Sequence, residues 1–454
     1  MTGHVPALVV GGGISGLVCA YALRKARIDA QLVESSPRPG GVINSVTRDG
    51  FLLELGPQSF SGTSQLRQLY EDLGISNQVV QAPPRAPRYV LIDGKLRPVP
   101  LSLPAFFMSS LINGSTKWAL VRDILGKSTP PEGDESVASF VCRKFSAQLL
   151  DRLVGPFVSG IYAGDPEHLS IRSAFPQLYE AEKAAGSIVR GMLRLAKSRK
   201  GPRERPTLHS FREGNEKLVR ALANKLGSAL LAETSVTRVS TRNDGSFEVG
   251  LESPAGDQSV YTRSLILATP TDVTARLLSS LDSSFETLLS PIEYAAVAVV
   301  SLGYRKKHMG HSLHGFGFLV PRSAGLRVLG SVWNSSLFPG RAPEGQALVT
   351  CFVGGTTDKA AATREPQKLV SLVHSEVSPL LSIQSEPAFS NVTIWQRALP
   401  QYNLGHADRL ARIDQLRAKF PGLWLAGNYL QGPAIGACVD QALAVAEEVC
   451  ERRP

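Results

Sequence analysis

Short apolar runs separated by turn residues recur along the chain and predict buried strands. The runs at residues 7–10 and 30–33 are rich in aliphatic and β-branched side chains, as in strands of a buried parallel sheet. The residues between them predict a helix from Ile14 to about Ala26. A strand–helix–strand unit therefore opens the chain, and similar runs at 264–268 and 423–426 predict further buried strands.

Strand-like runs also alternate with turns over residues 280–420. They lie at 295–302, 315–320, 328–332, 347–353 and 392–395. The pattern predicts a sheet with helices on one side, which could form the wall of a substrate cavity.

A different pattern occupies residues 95–200. Residues 101–112 are strongly apolar, but they are too few to span a bilayer, which takes about 20, and Pro104 suits a helix start. Basic residues flank this segment and accumulate again further along: Lys95, Arg97, Lys117, Arg122, Lys127, Arg190, Arg194, Lys197, Arg199, Lys200, Arg203 and Arg205. Apolar surface beside basic residues predicts attachment to a membrane surface, and a core helix beside a solvated basic loop is the alternative.

Charge and cysteine content narrow the class of protein. The net charge of +10 favours an acidic substrate or an anionic membrane surface, and we find no motif for nucleic acid. The five cysteines are scattered without a Cys-x-x-Cys pair, which suits a reducing, cytoplasmic setting. Because the glycine motif described next begins at residue 11, we expect no signal or transit peptide before it.

The candidate chemistry begins directly after the first strand, with the sequence Gly11, Gly12, Gly13, Ile14, Ser15 and Gly16. Gly11 permits a tight turn, Gly13 lets the backbone approach a pyrophosphate, and Gly16 lets the helix pack closely on the strand. The helix N-terminus then favours the phosphates. Glu34, 18 residues after Gly16, can accept hydrogen bonds from ribose hydroxyls, and its charge disfavours the 2′-phosphate of NADP. These features predict a dinucleotide site.

Three further segments narrow the dinucleotide to a retained FAD. A second loop, in which Arg38 can add charge near a phosphate, is of a kind that flavoproteins of the amine-oxidase superfamily carry. Its members are Arg38, Gly40, Gly41 and Val42. A later segment fits a loop lying against the flavin ring and consists of Gly56, Pro57, Gln58 and Ser59. Near the C-terminus, Gly427 and Asn428 end an apolar run before an Ala-rich helix.

The sequence gives little support for a pyridine-nucleotide reductase, a metal site or a hydrolase. No second G-x-G-x-x-G follows a strand, which counts against a reductase with a separate pyridine-nucleotide domain. His308, His311 and His314 are spaced like a metal cluster, but glycines flank them and no Cys, Asp or Glu completes a ligand set. We therefore predict a surface loop there, no metal site, and no catalytic acid–base residue. Motifs of serine hydrolases, zinc proteases and P-loop enzymes are missing from the sequence.

Several stretches outside the dinucleotide motif resemble the protoporphyrinogen oxidases. They lie at 88–90, 94–96, 159–166, 315–317, 335–339, 399–402 and 405–406. The resemblance runs nearly end to end and is nearer to the plant-like branch than to the Gram-positive branch that prefers coproporphyrinogen. It implies that FAD oxidises protoporphyrinogen IX to protoporphyrin IX, while three molecules of O₂ take up six electrons and leave as hydrogen peroxide.

The resemblance also implies substrate-binding residues. Arg88 matches an arginine that pairs with a substrate propionate. Gly160 matches a backbone contact in the substrate cavity. Leu319 and Phe338 match apolar residues that sandwich the tetrapyrrole.

For the cofactor, Val236 matches the residue whose backbone holds the adenine. Pro433, Ala434 and Ile435 match the segment beside the flavin ring. One departure lies in the final helix, where Gln441 stands in place of a glycine that relatives often have.

The implied fold is α/β and α+β. It combines a Rossmann-like FAD-binding domain of the p-hydroxybenzoate hydroxylase and amine oxidase type, a mixed-sheet substrate-binding domain and a helical membrane-binding domain. We assign residues 1–80, 230–275 and 420–454 to the first, 81–94, 205–229 and 280–419 to the second, and 95–200 to the third. The resemblance further implies a bacterial protein, peripheral on the inner face of the cell membrane, often a homodimer, with handover of product to ferrochelatase as an expectation.

Three alternatives stay open on the sequence. One is oxidation of coproporphyrinogen III, which carries four carboxylates instead of two. Another is an amine oxidase or carotenoid desaturase, which would share the fold but not the surroundings of Arg88 and Phe338. The third is a binding module without flavin, such as an escort of prenylated proteins, and the visible spectrum of the purified protein would distinguish it.

Overall fold

The computed structural model describes residues 2–100, 102–198 and 207–452. Within these residues the strands are β1 (Thr2–His4), β2 (Ala7–Val10), β3 (Ala30–Val33), β4 (Ser45–Arg48), β5 (Phe51–Glu54), β6 (Phe60–Ser61), β7 (Val79–Gln81), β8 (Arg88–Ile92), β9 (Lys95–Pro98), β10 (Leu208–Phe211), β11 (Leu230–Leu231), β12 (Ser235–Thr241), β13 (Phe247–Glu252), β14 (Gln258–Thr262), β15 (Ser264–Leu267), β16 (Tyr294–Arg305), β17 (Gly317–Leu319), β18 (Val328–Val332), β19 (Gln346–Gly354), β20 (Phe389–Pro400) and β21 (Leu423–Leu425).

The helices of the same residues are α1 (Ile14–Lys25), α2 (Ser64–Leu73), α3 (Leu103–Met108), α4 (Gly114–Leu125), α5 (Val137–Lys144), α6 (Ala147–Leu149), α7 (Gly155–Tyr162), α8 (Ile171–Ala174), α9 (Pro176–Ala185), α10 (Ile188–Ser198), α11 (Glu216–Leu226), α12 (Thr271–Leu278), α13 (Ser284–Leu289), α14 (Asn334–Leu337), α15 (Pro366–Val377), α16 (His406–Arg417) and α17 (Ile435–Glu451). A π-helical turn, Leu150–Val154, precedes α7, and short 3₁₀ turns lie at Ser76–Gln78, Gly227–Ala229, Lys306–His308, Arg322–Ala324 and Ala361–Thr363.

The opening strand–helix–strand unit lies in a parallel sheet of order β11-β3-β2-β15-β21. Its strands come from the start, the middle and the end of the chain. Strand β15 separates β2 from β21, so Leu267 pairs with Val10 on one side and with Leu425 on the other. The two ends of the chain are therefore close neighbours in one sheet.

Both faces of this parallel sheet are covered, as its nearly continuous apolar strands require. Helices α1, α2, α11 and α17 cover one face, where Leu17, Leu222 and Val439 are fully buried. A sheet of order β1-β14-β13-β12, in which β1 and β14 are parallel and the other neighbours antiparallel, covers the other face together with α12, α13 and α16. Val239 and Phe285 are fully buried in that second layer.

A long mixed sheet of order β20-β16-β19-β18-β17-β8-β9 forms the second centre of the molecule. All the strand-like runs predicted between residues 280 and 420 lie in it. Strands β17 and β8 are parallel, and the other neighbours are antiparallel. Helix α15 packs on one face, where Leu302, Val349 and Val373 are fully buried. The opposite face carries the candidate substrate residues.

Residues 103–198 form a helical unit that contains α3 to α10. Phe140, Val158 and Ile171 lie in its apolar core. Helix α3 starts with Pro104 in its first turn, as the sequence predicts, and Ser102 caps it through the amide of Ala105 at 3.3 Å.

A buried charge network joins the helices of this unit. The ammonium of Lys144 in α5 lies 2.6 Å from the carboxylate of Asp123 in α4, and the guanidinium of Arg143 lies 2.8 Å from that of Glu182 in α9. Both carboxylates are fully buried. Pairing therefore compensates charges that would otherwise be costly to bury.

The packing crosses three of the predicted domain boundaries. Strand β9 pairs with β8 through a turn at Asp93 and Gly94, whose φ angles are 50° and 72°, so the boundary at residue 95 cuts a hairpin. Helix α11 buries Leu218 and Val219 in the core of the parallel sheet, although residues 205–229 were assigned to the substrate-binding part. Ile413 of α16 likewise lies in the core beneath that sheet. Helices α11 and α16 thus pack with the first domain.

Within the ranges that the structure describes, no helix combines the length and the apolar character needed to cross a bilayer. Among the basic residues that predict membrane attachment, three lie on α10: Arg190, Arg194 and Lys197. The others in that cluster lie outside the described residues: Arg199, Lys200, Arg203 and Arg205.

Candidate functional site

The glycine loop at the carboxyl end of β2 has the geometry of a phosphate site. Gly11 has φ +104°, and a Cβ there would lie 2.7 Å from the carbonyl oxygen of Ala268. A Cβ at Gly16 would overlap the carbonyl oxygen of Gly11, so helix α1 packs directly on the loop. Gly13, in contrast, faces open space, and α1 begins after it without a side-chain cap. The free N–H groups of Ile14 and Ser15 therefore suit a pyrophosphate.

Glu34 lies directly beside this loop at the end of β3. Its carboxylate accepts hydrogen bonds from the amide of Gly12 at 2.6 Å and from the amide of Ser36 at 2.8 Å. Two backbone donors fix the carboxylate, which remains half-buried at the rim. A fixed acceptor in this position suits the hydroxyls of a ribose.

Val236 follows a segment that is tied to the backbone of Glu34. The amide of Thr234 donates to the carbonyl oxygen of Glu34 at 2.9 Å, so the start of β12 is tied to the end of β3. A register shift follows Val236 in the pairing of β12 with β13. The irregular backbone at this point is compatible with the predicted adenine contact.

The second glycine loop packs against the first. The amide of Gly40 donates to the carbonyl oxygen of Gly12 at 2.7 Å, and Gly41, with φ +57°, lies close to Gly13. Arg38 donates to the carbonyls of Pro39, Gly41 and Ile43 and pairs with Glu216 at 3.3 Å. Arg38 therefore holds the loop closed, a role that the sequence did not suggest.

The C-terminal segment completes the same cleft. Cys438 of α17 contacts the hydroxyl of Ser15, and Gln441 spans the end of β21, accepting from the amide of Gly427 at 3.3 Å and donating to the carbonyl of Leu425 at 3.1 Å. Gln441 thus links the end of β21 to α17 through its side chain.

Helix α17 begins at Ile435, with Ala434 as its uncapped N-terminal neighbour and Pro433 just before it. Two buried side chains hold the preceding turn. The Tyr402 hydroxyl donates to the carbonyl of Asn428 at 2.5 Å, and Nε2 of His406 lies 2.9 Å from the carbonyl of Tyr429. The turn that leads into the predicted flavin segment is therefore held by side chains distant from it in sequence.

The loop at residues 54–59 starts at the end of β5. A Cβ at Gly56 would overlap the carbonyl oxygen of Val42, so this loop packs on the second glycine loop. At its root, Glu54 pairs with Arg341 at 3.2 Å, and both side chains are 1% exposed. Burial raises the pKa of Glu54 to about 7, while Arg341 opposes that shift. Sequence reasoning missed this pair because its members lie far apart in the chain.

The candidate substrate residues lie on the face of the mixed sheet that points away from α15. Arg88 pairs with Gly317 across β8 and β17, and Leu319 is two positions further along the same face. The Arg88 guanidinium is exposed and lies 5.6 Å from the ring centre of Phe316. Helix α7 covers this face at Gly160, where a Cβ would lie 2.5 Å from a methyl carbon of Leu319. Arg88, Gly160 and Leu319 are thus brought together.

Phe338 lies beneath this face. Its ring is 1% exposed and packs in a cluster with Val332 and Leu337, while Phe316 and Phe352 lie partly exposed against that cluster. Phe338 therefore supports the two outer rings rather than presenting its own ring to an open cavity. Phe316 and Phe352 are apolar candidates that sequence reasoning missed.

His308, His311 and His314, where the sequence predicts no metal site, lie within the described residues. His311 lies 4.8 Å from the ring centre of Trp333, and burial lowers the pKa of its imidazole. The part of the chain that the structure describes contains no group of three or more His, Cys, Asp or Glu side chains placed to bind a metal.

A model of the flavin-containing amine oxidoreductases matches residues 14–450, which is nearly the whole chain. The chain belongs to this family. Members bind a flavin, and the two glycine loops, Glu34 and the uncapped ends of α1 and α17 fit FAD in the cleft between the chain termini. The protein is therefore an FAD oxidoreductase, as the sequence predicts.

Named members of the family refine the comparison. The chain is 35% identical to protoporphyrinogen oxidase 1 of Arabidopsis thaliana, over 97% of this chain and 87% of that protein. It is 27% identical to coproporphyrinogen III oxidase of Bacillus subtilis, over 97% of both. A solved structure of a putative protoporphyrinogen oxidase from Exiguobacterium is 26% identical and superposes with a TM-score of 0.81 over 99% of both chains.

Less similar solved structures share the fold alone. Reduced UDP-galactopyranose mutase superposes with a TM-score of 0.73 at 16% identity, over 99% of this chain and 96% of that one. The predicted α/β and α+β architecture with a Rossmann-like FAD-binding part is thus confirmed.

Proposed function

We propose that this family member oxidises protoporphyrinogen IX to protoporphyrin IX, the penultimate step of heme synthesis, with O₂ as acceptor. In the balanced reaction, protoporphyrinogen IX and three O₂ give protoporphyrin IX and three H₂O₂, so six electrons and six protons leave the substrate. The observation that carries the proposal is the pairing of one exposed guanidinium, Arg88, with an apolar face at Leu319 and Phe316. A flat apolar ring system with carboxylates on one edge matches that surface.

The side chains of this face act by binding and orientation. A guanidinium recognises a carboxylate through charge-assisted, bidentate hydrogen bonds, so Arg88 would hold one propionate. Leu319 would contact one face of the macrocycle, and α7 at Gly160 would limit the space beside it. Phe316 and Phe352, supported by Phe338, would exclude water from the ring.

When bound, FAD supplies the redox chemistry by accepting hydride from the substrate. The chain then contributes position, because reacting atoms held in a near-attack geometry need no further ordering. We assign no side chain a proton-transfer role. The mixed sheet would orient the substrate, and the parallel sheet, which carries the glycine loops, would orient the cofactor.

Coproporphyrinogen III is the second candidate substrate. Relatives named coproporphyrinogen III oxidase, from Bacillus subtilis and Staphylococcus aureus, are 27% and 28% identical to this chain over 97% of its length. Side-by-side turnover of both porphyrinogens, read by porphyrin fluorescence, separates the two. Our proposal expects the higher kcat/KM with protoporphyrinogen IX, and a preference for coproporphyrinogen III would replace it with the second candidate.

Peripheral attachment to the inner face of a bacterial membrane belongs to the same proposal. The helical unit exposes large apolar side chains that a folded core would normally cover: Phe107, Met108, Trp118, Leu125, Phe157, Ile161, Met192, Leu193 and Leu195. Arg190, Arg194 and Lys197 lie beside three of them on α10. Apolar and basic surface together suits an anionic bilayer. We include a homodimer and product handover to ferrochelatase in the proposal as expectations of the resemblance.

A further inference from the structure

Every carbonyl oxygen from Glu54 to Pro57 accepts a hydrogen bond from a side chain. The Gln58 amide donates to Glu54 at 2.9 Å and to Gly56 at 2.8 Å. The Trp395 indole donates to Leu55 at 2.6 Å, and the Asn215 amide donates to Pro57 at 2.7 Å. Four successive peptide units of a loop are therefore held by side chains rather than by a partner strand.

These bonds determine which way the loop presents its amides. The C=O and N–H of a trans peptide unit point in opposite directions. With the Leu55 carbonyl held by Trp395, the N–H of Gly56 points the other way. With the Pro57 carbonyl held by Asn215, the same holds for the N–H of Gln58. The open side of the loop thus carries two donors, the N–H groups of Gly56 and Gln58.

The donors to the loop are anchored in other parts of the molecule. Trp395 lies on β20 of the mixed sheet. The Gln58 amide is oriented by Asn334 of α14, whose own amide donates to Oε1 of Gln58 at 2.7 Å. Asn215 precedes α11 and also donates its backbone amide to Glu54 at 3.0 Å. Asn334 and Asn215 are each 1% exposed, so water cannot readily replace these bonds.

We propose that Trp395, Asn334 and Asn215 are positioning residues, which turn the carbonyls of residues 54–57 away from the flavin, so that the N–H groups of Gly56 and Gln58 point toward it. The mixed sheet would in this way help to set the hydrogen-bonding environment of the flavin ring. This inference rests on the flavin contact of residues 54–59 and not on the identity of the substrate.

The expected chemical consequence is electrostatic. Reduction places negative charge on the flavin ring, and N–H donors directed at that charge stabilise it. Loss of one positioning residue lets a loop carbonyl turn toward the ring, where its oxygen repels the same charge. The flavin midpoint potential should then become more negative, and the affinity of the apoprotein for FAD should fall by about tenfold, equivalent to one lost hydrogen bond of about 1.4 kcal/mol.

Trp395→Phe tests the proposal, with Trp333→Phe as its control. Both indoles belong to the mixed-sheet region, but the Trp333 N–H donates to no group in the described chain, and that ring is fully buried. We expect a negative shift of midpoint potential and a changed visible circular dichroism of the bound flavin in Trp395→Phe alone. An equal shift in both variants, or none in either, would overturn the proposal.

Asn334→Leu provides a second route, because it removes the donor to Gln58 at roughly constant volume. Should either variant fail to fold, residue-resolved amide exchange of the wild type decides the matter. FAD should slow exchange at Gly56 and Gln58 relative to the apoprotein, and equal rates would exclude the inference. Porphyrinogen is absent from all these measurements, so their failure leaves the substrate proposal untouched.

Discussion

The imidazole ring of His406 lies parallel to the ring of Tyr402, with centroids 4.4 Å apart and planes 11° from parallel. Both side chains hold consecutive carbonyls of the turn before α17, those of Asn428 and Tyr429. Leu399 to His406 is a segment whose sequence resembled the protoporphyrinogen oxidases. Its place in the fold, between the mixed sheet and the cofactor cleft, gives that segment a physical role.

The first prediction concerns pH and stability. Burial, aided by Arg409 and opposed by the Tyr429 carbonyl and Asp134, lowers the pKa of His406 from 6.5 to about 4. The folded state therefore favours neutral imidazole, and this contribution is present above pH 6.5 and lost as pH falls toward 4. The full loss amounts to roughly 3 kcal/mol of unfolding free energy.

His406→Gln, which keeps an N–H donor but cannot titrate, should make stability less dependent on pH across this range. Thermal unfolding at pH 7 and pH 4.5 measures the difference. If the wild type and the variant lose stability in parallel, His406 is not the group that titrates.

Arg88 is the subject of the second prediction. Arg88→Ala should raise KM for the porphyrinogen by roughly 10- to 100-fold, the worth of a charge-assisted hydrogen bond, with flavin content unchanged. Arg305→Ala, on an exposed end of β16 in the same sheet, is the matched control. Steady-state kinetics and the flavin-to-protein ratio give both readouts, and an unchanged KM would remove Arg88 from substrate binding.

The third prediction tests the contact of α7 with β17. A methyl group at position 160 would lie 2.5 Å from Leu319, so Gly160→Ala must displace that side chain. We expect a higher KM in the single variant and partial recovery when Leu319→Val is added. A double-mutant cycle should give a coupling energy of about 1 kcal/mol. Additive effects would show that the two residues do not share one surface of the cavity.

The two glycine loops could be predicted from the sequence, whereas the buried Glu54–Arg341 pair could not. The dinucleotide motif can be recognised in the sequence because its function depends on local spacing along a strand–turn–helix unit. Its residues are Gly11, Gly13, Gly16 and Glu34. The Glu54–Arg341 pair cannot be recognised in this way, because nothing near either residue indicates the other. Long-range contacts between polar side chains leave no periodic signal.

The same limit explains Phe338 and the domain boundaries. The resemblance placed Phe338 in the substrate sandwich, but the residue exposed at that face depends on how α14 packs on the sheet, and the ring is buried. Strand β9 escaped prediction because four residues at the edge of a sheet, two of them basic, are too short a run to give a periodic signal. The sheets and the cofactor cleft were therefore predictable, whereas side-chain orientation at the substrate face was not.

The fourth prediction concerns membrane attachment. The wild-type protein should float with vesicles of anionic lipid, and less so at high salt, because part of the attraction is electrostatic. Leu193→Glu on α10 should weaken flotation several-fold, since this side chain is 52% exposed beside basic residues. Leu404→Glu, at a leucine 45% exposed outside the helical unit, is the control. Equal flotation of all three proteins would place the membrane surface elsewhere.

The most direct test of the proposed function is anaerobic single turnover. Protoporphyrinogen IX is mixed with the purified, oxidised protein without O₂, and flavin absorbance and porphyrin fluorescence are followed together. We predict that the flavin absorbance bleaches as partly oxidised substrate forms, and that admitting O₂ restores the absorbance and completes the fluorescent porphyrin. A flavin that dithionite bleaches but protoporphyrinogen IX and coproporphyrinogen III leave oxidised would contradict porphyrinogen oxidation by this protein.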